Sequence, residues 1–165
     1  MIAGRKDRFA IEAEPQEELD GWLFGWFRFW LCGQPVGDWE DSADLRGCVR
    51  WLRDFANVRR DRYEPALVSL SAAEVFRSVY DPVMAEGNSR SSFADAYARF
   101  HISHIGMSSF ERFDILLLYD VHGSERCLWR RANATEIAEC RLWRNEMESV
   151  ASEFCDLFEQ ELSTK

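Results

Sequence analysis

The hydrophobic pattern of this chain is strongest in one aromatic run, residues 22–32, which reads Trp-Leu-Phe-Gly-Trp-Phe-Arg-Phe-Trp-Leu-Cys. Successive side chains of a strand point to opposite faces of a sheet. Apart from Arg28, both alternation sets of this run are apolar, so a strand here requires cover on both faces. We therefore expect the run to form a strand in the middle of a sheet.

Two further strands are expected beside this run. Residues 7–14 alternate between apolar and polar positions, which predicts a half-buried strand. The acidic segment 15–21 starts with proline and ends with glycine, and we expect a connection there. Residues 36–39 follow Pro35 and predict a short third strand. The first forty residues thus predict a three-stranded meander.

Apolar residues at three- and four-residue spacing predict two helices in the middle of the chain. The first is expected to begin at a cap on Asp41 or Ser42 and to run to about Ala56. The second is expected to begin at Ser71, because Ser71 and Glu74 match the capping box, in which each side chain satisfies a free backbone N–H.

A second β region is expected after these helices. Residues 99–105 predict a strand, and residues 113–120 predict another with an alternating apolar face. Residues 121–124 contain a glycine suited to a tight hairpin, and residues 125–130 then predict the return strand.

The last element is expected to be one long helix. Its cap would be Asn133 or Thr135, and an apolar stripe with three-four spacing continues to about Leu162. The chain as a whole predicts an α+β fold. We expect a mainly antiparallel, twisted sheet of about six strands in the order βββ-α-α-βββ-α, packed against helices.

Composition restricts the class of protein. The 165 residues are 47% hydrophobic and 14% aromatic, which is typical of a packed globule and excludes a disordered chain. This length predicts a single domain over residues 1–165. The formal net charge of -9 argues against a nucleic-acid partner, because phosphate binding requires a basic patch. It fits a partner with a basic surface, and it equally fits an ordinary soluble acidic protein.

The cysteines and the N-terminus predict the compartment. The five cysteines are scattered without a C-x-x-C pair, so we expect mostly buried thiols in a reducing environment, with neither a zinc knuckle nor a disulfide framework. They are Cys32, Cys48, Cys127, Cys140 and Cys155. The charged N-terminus lacks an apolar signal region, and the run 22–32 is too short to cross a bilayer. These features predict a cytoplasmic protein that contacts no membrane.

Residues with catalytic potential are sparse. His101 and His104 would point to opposite faces of a strand and could not share a metal ion. In a helix they would share a face, but the nearby Gly106 disfavours one, and His122 lies in the expected turn. Nucleophile-elbow, phosphate-loop, zinc-protease and dinucleotide-binding motifs do not occur in the sequence. We therefore predict a non-enzymatic protein with no catalytic residue, no metal and no cofactor.

Two surface features are candidates for binding another protein. The first is a pair of acidic runs, with Glu14, Glu17, Glu18 and Asp20 in one and Asp38, Glu40, Asp41 and Asp44 in the other. The meander would bring both runs to one end of the sheet as a single negative patch, with separate solvated loops as the alternative. The second feature is Trp26, Arg28 and Trp30, a cation–π ladder on one strand face. Such residues anchor many interfaces, but we expect this face to belong to the core.

The pattern of Phe, Trp and Gly resembles immunity protein family forty-two of bacterial polymorphic toxin systems. The segments that carry the resemblance are Asp7-Arg-Phe9-Ala-Ile11-Glu, Trp22-Leu-Phe-Gly25, Phe29-Trp30, Val36-Gly37-Asp38, Ser109-Phe110-Glu-Arg-Phe113-Asp-Ile115 and Glu125-Arg126-Cys-Leu-Trp129. The resemblance spans nearly the whole chain and is loosest over residues 42–98. Its motifs are structural, so it implies no catalytic residue.

The resemblance implies an immunity protein that binds and neutralises a cognate toxin domain of a contact-dependent or secreted effector. The mechanism would be non-enzymatic occlusion of the active or substrate-binding site. A basic nuclease is a fitting partner, because an acidic inhibitor can occupy its phosphate-binding surface. The sequence does not determine whether the protein is a monomer or a homodimer. It also does not identify the toxin. An adaptor or chaperone that loads an effector, and less so a small-molecule enzyme, remain as alternatives.

Overall fold

The computed structural model describes residues 1–58, 61–80, 97–102 and 108–163, which form two antiparallel sheets with helices packed on them. The strands are β1 (Ile2–Gly4), β2 (Phe9–Leu19), β3 (Trp22–Leu31), β4 (Gln34–Val36), β5 (Ser42–Asp44), β6 (Phe113–Tyr119), β7 (Glu125–Arg131) and β8 (Ala138–Leu142). The helices are α1 (Leu45–Asn57), α2 (Pro65–Val68), α3 (Ala72–Val79), α4 (Tyr97–Phe100) and α5 (Glu146–Ser163). The predicted α+β class, antiparallel pairing and C-terminal helix are confirmed.

The aromatic strand β3 is the central strand of the five-stranded sheet, as its pattern predicted. It pairs with β2 along one edge and with β4 and β5 along the other, and β1 extends the sheet beyond β2. The turns on either side of β3 are Asp20-Gly21 and Cys32-Gly33, and all four residues have positive φ values between 47° and 84°. Type I′ hairpin turns require this left-handed backbone, so these short turns fix β3 between its neighbours.

Strand boundaries near the N-terminus differ from the prediction. The expected connection at 15–21 is wrong, because β2 continues to Leu19. The β2–β3 register shifts between Pro15 and Glu17, and a bulge of this kind accommodates a proline that cannot donate to the ladder. The predicted strand at 36–39 lies earlier, at β4, and β1 was not predicted.

The predicted first helix begins later than expected. The segment 42–44 is extended and pairs with β3, so Asp44, rather than Asp41 or Ser42, caps α1. The Asp44 carboxylate accepts the backbone N–H groups of Arg46 and Gly47 at 3.1 and 3.0 Å. The predicted capping box at Ser71 is confirmed at the start of α3.

The main core lies against the inner face of the five-stranded sheet. Helices α1 and α5 pack on each other and on this sheet. The core includes an aromatic cluster in which the Phe27 ring contacts Phe29, Phe110 and Phe154 at centroid distances of 5.7 to 5.9 Å. One face of β6–β8, including Ile115 and Leu117, closes the same core.

The three-stranded sheet is covered on its second face as well. Leu116, Leu118 and Leu128 pack there against residues of the helices α2, α3 and α4. The predicted hairpin of residues 113–120 and 125–130 is confirmed as β6 and β7. The predicted strand at 99–105 is wrong at its start, where α4 forms, and residues 103–105 lie outside the described part of the chain.

The long C-terminal helix is shorter than its apolar stripe predicted. Residues 138–142 form strand β8, which pairs with β7, and the helix starts at Glu146. The helical spacing of apolar residues before Glu146 is therefore coincidental, because those residues form a strand and a turn. Trp143, expected on the helix, is 65% exposed between the two elements.

Two of the cysteines form a disulfide, which the sequence did not predict. Cys32, in the β3–β4 turn, is bonded to Cys140 in β8, so a covalent bond joins the two sheets across 108 residues of sequence. The expectation of thiols is wrong for this pair, whereas Cys48, Cys127 and Cys155 are free and buried. Among the helices that the structure describes, none combines the length and the hydrophobicity needed to cross a bilayer.

Candidate interaction face on the five-stranded sheet

The two faces of the five-stranded sheet differ sharply in burial. Inner-face residues such as Phe9, Ile11 and Phe29 are at most 2% exposed. The opposite side carries half-buried and exposed side chains. We call this side the outer face, and it consists of Glu12, Glu14, Glu17 and Leu19 from β2 and Trp22, Phe24, Trp26, Arg28 and Trp30 from β3.

The register of β2 and β3 places acidic and aromatic side chains opposite each other on the outer face. Glu12 pairs with Arg28 and Glu14 with Trp26; beyond the bulge, Glu17 pairs with Phe24. Residues directly opposite in an antiparallel pair project to the same side. The outer face is therefore a column of rings beside a column of carboxylates.

Glu12 organises the half of the outer face nearest the β3–β4 turn. Its carboxylate accepts hydrogen bonds from Lys6 Nζ at 2.9 Å, Arg28 Nε at 2.7 Å and Trp30 Nε1 at 2.8 Å. Burial by itself would raise the pKa of Glu12, but these donors outweigh it and lower the pKa to about 2. The carboxylate is therefore ionised at all physiological pH values and fixes the three donors in place.

The cations bound to Glu12 also stack on aromatic rings. The Arg28 guanidinium lies 4.7 Å from the Trp30 ring centroid and 4.1 Å from that of Trp39. Lys6 Nζ lies 4.4 Å from the Trp30 centroid. Each cation thus combines a carboxylate with a ring face, a geometry that favours cation–π attraction.

The half of the outer face nearest the β2–β3 turn has rings and carboxylates without such cations. Trp22 stacks on Phe24 at a centroid distance of 6.4 Å, and Trp26 packs on Trp39 at 5.8 Å. At the tip, Trp22 and its partner Leu19 are 55% and 54% exposed. Large apolar side chains are thus presented to solvent at one end of the sheet.

The sequence-based expectation that Trp26, Arg28 and Trp30 belong to the core is not met. All three are half-buried and lie outside both core clusters of the described chain. The physical reason is that α1 and α5 cover the inner face of the sheet, which leaves these residues on the other side. The stacked ladder itself is present, since Arg28 lies against the Trp30 ring.

The structure separates the acidic residues that were predicted to form one patch. Glu17 lies on the outer face, whereas Glu18 projects toward α1 and pairs with Arg46 at 3.0 Å. Asp20 occupies the β2–β3 turn. The second run sits beside the middle of β3, between β4 and β5.

Within the second acidic run, Asp38 is held by the three-stranded sheet. It pairs with Arg131 at 2.6 Å and with Arg112 at 3.7 Å, and its backbone N–H donates to Ser109 O at 2.7 Å. Glu40 is exposed and Asp41 is half-buried in the approach to β5. The two runs are therefore neighbours of β3 on different sides rather than one continuous patch.

Glu12, Lys6 and Trp39 are outer-face or neighbouring residues that the sequence analysis did not select, whereas Glu14 belongs to the first predicted acidic run. The signal for the pairing of β2 with β3 was the Asp20-Gly21 pair, a hairpin dipeptide that precedes the aromatic run. It sets the register near the turn. The bulge at Pro15 then shifts that register by one residue, and no sequence feature specified the size of the shift.

A second group of polar side chains lies buried beneath the three-stranded sheet. Glu125 is 1% exposed and accepts the Met147 N–H at 3.0 Å. Tyr119 donates its hydroxyl to Glu148, and Arg62 donates to that hydroxyl at 3.2 Å. Burial, followed by the hydrogen bond and charge of Glu148, raises the pKa of Glu125 well above its ordinary value. This network joins β7 to the start of α5 inside the fold.

The described residues include an open cleft but no cluster of metal-binding side chains. Within the described residues, no three His, Cys, Asp or Glu side chains are arranged to hold a metal ion. His104 lies outside them, so the expectation about the His101–His104 pair is untested. An open cleft of about 450 Å³ is lined by Tyr63, Tyr119, His122 and Arg144 among others. Asp120, also in this cleft, accepts the backbone N–H groups of His122 and Ser124 and thereby shapes the β6–β7 turn.

Comparison with known proteins adds a family and a fold. The family described as Immunity protein 42 matches residues 1–156 of the chain. The crystal structure of CdiI from Burkholderia dolosa AUO158 is similar with a TM-score of 0.72 and 19% sequence identity, and the match covers 93% of this chain and 97% of that one. Among curated proteins, no sequence matches this chain significantly.

Proposed function

The chain belongs to the Immunity protein 42 family and is therefore an immunity protein of a toxin system; from this premise we propose that it binds a cognate bacterial toxin domain and neutralises it. The toxin is a contact-dependent or secreted effector, and the binding occludes its active or substrate-binding site. The chain acts stoichiometrically, without catalysing a reaction, in the cytoplasm. The observation that carries this proposal is the family match, which extends over 1–156 of 165 residues.

The outer face is the surface we assign to toxin contact. Its aromatic side chains and Arg28 are of the types enriched at the centres of protein interfaces. Trp26, Arg28 and Trp30 are half-buried, so they are already ordered by their neighbours before a partner arrives. Preordered side chains lose less conformational entropy on binding. The exposed pair Leu19 and Trp22 extends the face at its tip.

The acidic residues around β3 favour a basic toxin, for which a nuclease is a fitting class. Glu17, Asp20 and Glu40 are exposed, and the whole chain carries a net charge of -9. Complementary charge raises the association rate and selects the partner more than it increases affinity. Glu18 and Asp38 form ion pairs with arginines of the chain, so in this proposal they contribute less to the long-range field than the exposed carboxylates, and Asp41 adds to it from the approach to β5.

Co-expression tests the proposal directly. The toxin domain encoded by the gene next to that of this chain is induced in a bacterial host, with the chain or with an unrelated acidic protein of similar size. We expect survival only with the chain. Equal killing in both cultures contradicts neutralisation. Binding of purified toxin without any loss of its toxicity would instead indicate an adaptor or chaperone.

A further inference from the structure

We propose that the half of the outer face nearest the β2–β3 turn binds an arginine side chain of the partner protein. This half is formed by Trp22, Phe24 and Trp26 with Glu14 and Glu17. This inference rests on the proposed function, because it names the chemistry of the toxin residue that the face receives. The support comes from comparing the two halves of the outer face, because the half near the β3–β4 turn already binds cations from the chain itself.

The half of the outer face near the β3–β4 turn binds two cations of the chain with aromatic rings and one carboxylate. Arg28 lies between the rings of Trp30 and Trp39, with its Nε 2.7 Å from Glu12. Lys6 uses the same carboxylate and the same Trp30 ring. A ring from β3 beside a carboxylate from β2 is therefore a cation site within this protein.

The other half repeats those components along the same two strands. Trp26 lies opposite Glu14, and Phe24 lies opposite Glu17. In the described part of the chain, no lysine or arginine lies over the rings of Trp22, Phe24 or Trp26. Arg46 reaches the β2–β3 turn from α1, but it lies on the α1 side of the sheet, where it binds Glu18 and the carbonyl of Gly21.

The carboxylates of this half are also without cations from the chain. Glu14 accepts a neutral hydrogen bond from Gln16 Nε2 at 3.1 Å, and neither Glu14 nor Glu17 forms an ion pair with any residue that the structure describes. Both are exposed. Two negative charges without an ion-pair partner among the described residues therefore flank one exposed ring, Trp22, and two half-buried rings, which is the charge complement of a basic side chain.

Arginine fits this half better than lysine. A guanidinium is planar, stacks on aromatic faces and bonds a carboxylate through two N–H groups at once. It also loses less hydration than an ammonium when it is buried between rings. Removal of a well-packed aromatic or arginine anchor often weakens an interface by about 30-fold.

The experiment measures the affinity of the purified chain for the catalytically inactivated toxin domain of the adjacent gene. Trp22→Ala and Glu17→Gln change exposed residues of the proposed site and should not affect folding, which thermal melting checks. We expect Trp22→Ala to weaken binding by about 30-fold and Glu17→Gln by about fivefold. Trp143→Ala and Glu153→Gln, exposed residues outside the outer face, should bind like the wild type.

Pairing these variants with the toxin identifies the occupant. Each arginine of the toxin domain is changed to methionine, and double-mutant cycles are measured against Trp22→Ala and Glu17→Gln. We expect one arginine whose effect is coupled to both variants. Wild-type affinity of both variants, or effects that are additive with every arginine, overturns this inference while leaving neutralisation intact. A wild-type chain that neither binds nor protects overturns the proposed function instead.

Discussion

Arg28 and Glu12 lie directly opposite each other on β3 and β2, and the Arg28 Nε donates to the Glu12 carboxylate at 2.7 Å. The same carboxylate accepts from Lys6 and Trp30. A single acidic residue on the second strand therefore fixes the orientation of the aromatic and basic side chains on the third.

Glu12→Gln should lower the free energy of unfolding at pH 7 by about 1 to 3 kcal/mol, because hydrogen bonds to an ionised partner are lost in a half-buried site. The pKa of Glu12 is about 2 in the folded state and ordinary in the unfolded state. Its contribution is thus present above about pH 4.5 and is lost as the pH falls toward 2. Urea denaturation at pH 7 and pH 3 checks this.

The control for that prediction is Glu153→Gln, an exposed position on α5. We expect the wild type and the Glu12→Gln variant to converge in stability as the pH falls, whereas the control stays close to the wild type throughout. A constant difference between wild type and Glu12→Gln from pH 7 to pH 3 would show that ionisation of Glu12 is not the cause.

Glu125→Gln should change the pH dependence of the free energy of unfolding in the sense opposite to Glu12→Gln. Burial and Glu148 raise the pKa of Glu125 in the folded state, so the folded chain holds a proton that the unfolded chain releases. The stability of the wild type then falls as the pH rises above about 4.5, by at most about 1.4 kcal/mol per pH unit from this group. The variant lacks this loss, and its stability relative to the wild type should increase from pH 5 to pH 8.

That comparison uses denaturant midpoints of both proteins at the two pH values. Glu153→Gln again serves as the matched control, since its carboxylate is exposed. If the relative stability of Glu125→Gln is the same at pH 5 and pH 8, the proton on Glu125 does not contribute to folding.

Reduction of the Cys32–Cys140 disulfide should destabilise the chain. The bond closes a long loop of 108 residues, and removing such a link costs about 2 to 5 kcal/mol. We expect a lower melting temperature in the presence of a reductant. The Cys32→Ser/Cys140→Ser double variant should melt at this lower temperature with or without reductant. A wild type whose melting is unaffected by full reduction contradicts the prediction.

Gly25→Ala should destabilise the sheet strongly, by about 1 to 3 kcal/mol or more. A Cβ at this position would lie 2.4 Å from the backbone oxygen of Glu14 and 2.7 Å from Leu45 Cδ1. The neighbouring strand and α1 leave no room for it. Gln16→Ala, an exposed change on β2, should have little effect in the same urea titration. Equal midpoints for the two variants would mean that the backbone moves at no cost.

Charge reversal at Glu17, Glu18, Asp20, Glu40 and Asp41 should slow association with a basic toxin and reduce its salt dependence. The reason is that exposed charges act mainly on the diffusional encounter. Stopped-flow association rates at low and high salt measure the effect, with Glu153→Lys and Asp156→Lys on α5 as the control. Rates at low salt that match those of the wild type would remove these acidic residues from the binding process.

Local patterns in the sequence determined much of this fold. Two apolar alternation sets placed residues 22–32 at the centre of a sheet, and β3 is there. The Ser71 capping box and the hairpin of β6 and β7 were equally local, because caps and short turns involve residues a few positions apart. The family resemblance drawn from these motifs agrees with the match over residues 1–156.

Other features depended on contacts between distant residues. The stripe that predicted one long C-terminal helix was divided when residues 138–142 paired with β7, since tertiary pairing outweighs helical periodicity in a short segment. Cys32 and Cys140 bond only because the two sheets bring them together. Neither event has a local sequence signal.

The composition of the outer face depends both on local sequence pattern and on contacts between distant residues. The sequence by itself fixed which side chains β3 projects to each side, because alternation along a strand is local. The tertiary structure decided which side meets solvent, because α1 and α5 could cover only one of them. It also decided which carboxylates lie beside the rings, because the bulge at Pro15 shifts the register by one residue and such a shift exchanges the two faces of a strand.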